Sequence, residues 1–170
     1  METGQPVPEH AIEDQIGLLT SLLREIIQHS PFSLSFAVRK AASFPGDTES
    51  PAYVVAFSGP DADLLIEKNA TLLHALEHVM LKAIRLDDDH LRRIAFDCND
   101  WRQMRTEELR LMAQVAAERV VETGNPFALS PMNSGERRII HVALKGHPAV
   151  QTQSEGTGPE RKVVIRPSKP

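Results

Sequence analysis

Cysteine is nearly absent from this chain of 170 residues: Cys98 stands alone, which excludes an internal disulfide framework and any zinc site built from several thiolates of the chain itself. Long apolar runs are missing as well, and no stretch approaches the roughly 20 residues that cross a bilayer. The opening METGQPVPEH has neither the basic nor the apolar segment of a secretory signal. These three features together point to a cytoplasmic protein without membrane insertion. There is also no Walker loop, no Gly-x-Ser-x-Gly elbow, no carboxylate pair set for acid–base work and no internal repeat. No catalytic residue, cofactor or metal is therefore assigned, and binding is expected rather than catalysis.

What is present is an ordinary globular composition, 41% hydrophobic and 25% charged, with an uneven charge distribution. Residues 131–170 hold seven Lys or Arg against three acids, a local +4, which leaves −8 for residues 1–130 out of a total of −4. A basic C-terminal quarter concentrates anions such as phosphodiesters, whereas an acidic body repels them at long range.

Residues 1–10, with Pro6 and Pro8, read as a disordered leader. Ile12, Ile16, Leu19, Leu22, Leu23, Ile26 and Ile27 then recur at helical spacing up to Ser30 and Pro31. Residues 32–41 alternate as a half-buried strand with Phe32, Leu34, Phe36 and Val38 inward, and residues 52–58 form a second strand. A short helix over 61–66, a longer one over 71–84 with Leu72, Leu73, Leu76, Val79, Met80 and Ala83 inward, and a strand over 91–98 complete a helix-strand-strand-helix-helix-strand unit spanning 11–98. Asp87, Asp88 and Asp89 read as a solvated loop, His74 and His78 as structural or solvated rather than zinc ligands, and Cys98 as a small buried residue.

A second α+β unit is expected over 99–167, opened by a long helix over 101–122 with Asn99 or Asp100 as its cap and Trp101, Leu109, Met112, Val115, Ala116 and Val120 as its apolar stripe. A short strand over 127–129, a helix over 134–144 and strands over 150–152 and 162–166 follow, with a frayed tail at 168–170. On the shorter helix Arg137 and His141 stand four apart and share a face. A guanidinium fork beside an imidazole suits a phosphate oxygen, and the imidazole contribution should grow as pH falls toward about 6. Arg138 and Lys145 flank His141, and Arg161 follows a glycine-containing loop able to bring N–H groups near an anion.

The stretch from Arg137-x-x-x-His141 through Thr152, Ser154, Glu155, Gly156, Gly158, Pro159 and Arg161 to the apolar strand 163–165 resembles the R-three-H domain, a single-stranded nucleic acid binding module. That resemblance places Arg137 and His141 on the nucleic acid face and Ser154, Gly156 and Arg161 in the neighbouring loop and strand. Residues 125–133, Asn-Pro-Phe-Ala-Leu-Ser-Pro-Met-Asn, are similar to the bacterial Jag (SpoIIIJ-associated) family, in which a KH domain precedes this module. The element order of residues 11–98 agrees with a type II KH fold. The glycines of the KH loop are replaced, however: Glu67, Lys68, Asn69 and Ala70 stand where Gly-x-x-Gly would let a nucleic acid backbone approach, and Glu67 adds a negative charge. Residues 32–98 are net −3.

The expectation is thus a single-stranded RNA (or ssDNA) binding protein acting through its C-terminal R-three-H unit. The degenerate KH-like unit serves as scaffold or interaction surface, for self-association or for a small stand-alone KH protein. The resemblance further implies RNA regulation linked to cell envelope growth. A protein-interaction adaptor that has lost nucleic acid binding is the alternative, and a phosphoesterase using Ser154 and His141 is a third reading.

Overall fold

The computed structural model describes residues 9–41, 51–84 and 93–168, with side chains from residue 13 onward. The chain divides into two compact units, Met1–Trp101 and Arg102–Pro170. Most of the leader, the acidic run 87–89 and the last two residues lie outside the described residues.

In the first unit, α1 (Glu9–His29) begins two residues before the expected Ala11 and sends Leu19 and Leu23 fully into the core. Its hydrophobic face is narrower than the spacing implies, since Ile26 stays exposed. Strands β1 (Ser35–Lys40), β2 (Tyr53–Ser58) and β3 (Ile94–Cys98) form a sheet in the order β1-β2-β3. The first pair is antiparallel and the second parallel. Phe57 lies between Phe36 and Phe96, with ring centroids at 6.1 and 5.5 Å, so the three strands share one aromatic seam. Phe32, expected inward, is exposed and precedes the strand.

Helix α2 (Asp63–Ala83) is broken at Glu67–Ala70, which recovers the expected pair of helices. Leu65, Leu73 and Met80 are buried, but Leu72 and Val79, expected inward, are 46% and 57% exposed. They are seven residues apart and so lie on one outward face. Cys98 is buried as expected, and its thiol donates to the Ala62 carbonyl at 3.3 Å. Burial, then the nearby Asp97 and Asp63 carboxylates, push that thiol's pKa up.

The second unit packs α3 (Trp101–Thr123, from Arg102) and α4 (Ser134–Ala143) around the inner side of a sheet ordered β4-β6-β5. Its strands are β4 (Phe127–Ala128), β5 (Val150–Glu155) and β6 (Lys162–Pro167), all paired antiparallel. The expected boundary at 98/99 moves to 101/102 because the Trp101 indole belongs to the first core, meeting the His74 ring edge-on at 5.4 Å. Trp101 is therefore not part of the α3 stripe. That stripe is Leu109, Ala113, Ala116, Ala117 and Val120, while Val115 is exposed. Neither Asn99 nor Asp100 has the extended backbone of a helix cap. Both have positive φ, 51° and 55°, and the Asn99 amide donates to Asp63 Oδ1 at 3.0 Å.

Candidate nucleic-acid interface

The N-terminus of α4 is locked by its own sequence. Asn133 Oδ1 accepts from the Glu136 N–H at 3.0 Å, and Glu136 Oε2 accepts from the Asn133 N–H at 3.1 Å, a reciprocal capping box. Glu136 is only 5% exposed, and its other oxygen accepts from Arg105 Nε at 2.7 Å, which ties α4 to α3. Arg105 also donates to Glu108 at 2.8 Å. Burial works against the Arg105 charge, but the two carboxylates outweigh it and raise its pKa. The reading of residue types overlooked Glu136, although Asn133-x-x-Glu136 is a capping signature visible in the sequence.

From this fixed start the helix presents Arg137 and His141 along one face. Arg137 is half-buried and donates through Nη1 to the Met132 carbonyl at 3.0 Å. Met132 in turn donates its N–H to the Arg161 carbonyl at 3.1 Å, so the guanidinium rests on backbone that is itself anchored to the start of β6. His141 is half-buried against β5. Its Nδ1 is 2.6 Å from Thr152 Oγ1 and its Nε2 is 2.9 Å from Ser154 Oγ. Burial, then the positive charge of Arg137, lower its pKa below the usual 6.5. Protonation toward pH 6, expected from an unperturbed imidazole, is thus opposed, and both ring nitrogens already have partners.

Ser134, Arg137, Arg138, His141, Val142, Lys145 and Ser154 line a concavity of about 620 Å³. Five of the expected residues, Arg137, Arg138, His141, Lys145 and Ser154, are brought together here. Gly156 and Arg161 are not among its lining. Ser154 lies inside β5, paired with Val163, rather than in a loop, because the turn that follows is shorter than its composition implies. Residues 158–160 form one tight helical turn, and Gly156 has φ +85°. A Cβ on Gly156 would come within 2.9 Å of the Glu160 carbonyl oxygen, so this glycine is needed to close the hairpin.

In the first unit, Glu67 is extended (φ −57°, ψ 154°), a conformation that needs no glycine, while Lys68, Asn69 and Ala70 all occupy the left-handed region. The glycine-like backbone thus persists without glycines, and Ala70 is completely buried. His74 Nδ1 stands 3.6 Å from Glu77 Oε2, and His78 is exposed.

Residues 107–167 match the R-three-H domain family, so the second unit is an R-three-H domain. Over a longer stretch the chain is similar to proteins named RNA-binding protein KhpB. It is 34% identical to that of Clostridium symbiosum over 111 residues, 65% of this chain and 50% of the relative. It is also 34% identical to that of Bacillus subtilis over 110 residues, 64% and 53% of the two chains. With the Streptococcus pneumoniae protein it shares 28% over 127 residues, 75% of this chain and 35% of the relative. The chain thus spans about half the length of the first two of these relatives.

Proposed function

We propose that this protein binds single-stranded nucleic acid, RNA in the first place, through the concavity on α4 and β5. The observation that carries this reading is the convergence of Arg137, Arg138 and Lys145 with the Ser134 and Ser154 hydroxyls in one open recess. Cations and hydroxyls together meet the charge and the hydrogen-bonding needs of a phosphodiester. The similarity to proteins named RNA-binding protein KhpB supports RNA as the ligand.

Binding fits this site better than hydrolysis. His141 is turned toward Ser154, but its Nδ1 partner is the Thr152 hydroxyl, which carries no charge to stabilise an imidazolium, and Arg137 disfavours the protonated ring. The setting is cytoplasmic. Among the described residues, no helix is long and apolar enough to cross a membrane.

The KH-like unit acts as a scaffold and interaction surface. Leu72 and Val79, exposed on one face of α2, favour this second role, with a second copy of the chain or a small stand-alone KH protein as partner. A comparison of the full chain with fragments 102–170 and 1–101, titrated against a labelled single-stranded oligoribonucleotide, tests the assignment. The 102–170 fragment should retain nearly the full affinity, which should fall steeply as salt rises. Equal or tighter binding by 1–101 would move the site to the first unit, and the absence of binding by the full chain would favour the adaptor reading.

A further inference from the structure

His141 is half-buried, and each ring nitrogen faces a hydroxyl of β5, Thr152 at 2.6 Å and Ser154 at 2.9 Å. Ser154 and His141 line the recess, whereas Thr152 is not among its lining. A neutral imidazole has one N–H and one lone pair, so the two tautomers give the exposed end of this chain opposite character. If Nδ1 holds the proton, Nε2 accepts the Ser154 O–H, and Ser154 offers the recess only lone pairs. If Nε2 holds it, Thr152 donates to Nδ1, Nε2–H donates to Ser154 Oγ, and the Ser154 O–H is free to donate outward. An oxygen that offers only lone pairs is a poor neighbour for a phosphate, whereas a donor polarised by the hydrogen bonds behind it is a good one.

Resting on the proposed function, we propose that His141 is a positioning residue rather than a phosphate ligand: held between Thr152 and Ser154, it adopts the Nε2–H tautomer and so makes the Ser154 hydroxyl a donor to the nucleic acid backbone. Arg137, Arg138 and Lys145 supply the charge. The Thr152–His141–Ser154 chain supplies a directed hydrogen bond that stays a donor even when the ring is protonated, because Thr152 and Ser154 then both accept from it.

Two measurements on the full chain test this. In ¹⁵N-detected imidazole spectra, His141 should show the Nε2–H tautomer with a saturating single-stranded oligoribonucleotide bound. An Nδ1–H ring in the complex overturns the proposal, and this readout needs no variant. In anisotropy titrations of the same oligonucleotide, Ser154→Ala should lose roughly three- to tenfold in affinity, and His141→Gln in the Ser154→Ala background should lose almost nothing more. Losses that multiply would make His141 a direct ligand and overturn the positioning role while leaving the proposed function standing. A wild-type chain that binds no single strand overturns both.

Discussion

Arg137 commits one donor of its planar fork to the Met132 carbonyl and lies with the remainder along the wall of the recess. Lysine at this position retains the charge but cannot hold the carbonyl and an anion in one rigid plane, so Arg137→Lys should bind a single strand about tenfold more weakly, ~1.4 kcal/mol, in anisotropy titrations. Unchanged affinity would reduce Arg137 to a point charge. For His141 the linkage has a definite sign. Its folded pKa lies below the 6.5 of the free ring, so the unfolded chain takes up the proton more readily. The stability contributed by the neutral ring is complete above about pH 6.5 and is lost as pH falls through that value toward the folded pKa. Thermal melts between about pH 8 and pH 5 should therefore show the wild type losing more stability than His141→Gln, in which nothing titrates at that position. Parallel curves for the two proteins would contradict the lowered pKa.

The capping box and ion pair of Glu136 make α4 dependent on a single buried carboxylate. Glu136→Ala removes the Arg105 partner and one half of the box together, and should cost about 3 kcal/mol in urea denaturation, against about 1 kcal/mol for Asn133→Ala. Similar losses in the two variants would show that the ion pair adds little. In the broken helix α2, Lys68 is exposed and left-handed, so Lys68→Gly should raise stability by up to about 1 kcal/mol. Ala70→Gly gains the same conformational relief but loses a fully buried methyl worth about 0.8 kcal/mol, and should come out near neutral. Most elements were legible from periodicity, since Leu19, Leu23, Leu73, Leu109 and Val120 are buried as their spacing requires. The errors have physical causes. Leu72, Val79 and Val115 are apolar residues on outward faces, and spacing alone does not reveal which apolar positions meet a partner. Helix α3 buries Ala113, Ala116 and Ala117, a small-residue face overlooked when large side chains are sought. The strand character of Ser154 depends on its pairing with Val163, a contact between distant residues that local composition does not encode.

The molecule keeps its two cores apart in sequence as well as in composition: an aromatic-seamed first unit ending at Trp101, and an R-three-H domain in which Arg137, Arg138 and Lys145 gather at one recess. The charge asymmetry and the Arg-x-x-x-His spacing made that recess legible in the sequence. The hydroxyl partners of His141 on β5 and the pairing of Glu136 with Arg105 are contacts between residues distant in the chain, which local sequence does not encode. If nucleic acid is held here mainly through phosphates, affinity depends on the release of counterions, and the dependence on salt weakens when a contacting cation is removed. The decisive measurement is an anisotropy titration of one labelled single-stranded oligoribonucleotide with the wild-type chain and with Arg137→Ala, at two salt concentrations, with circular dichroism on the same samples. Arg137→Ala should bind roughly ten- to a hundredfold more weakly, the loss of a charge-assisted contact of about 1.5 to 3 kcal/mol, with a shallower salt dependence and an unchanged folded spectrum. Equal affinity for the two folded proteins, or loss of binding only where the fold is lost as well, would contradict a nucleic-acid interface at this site.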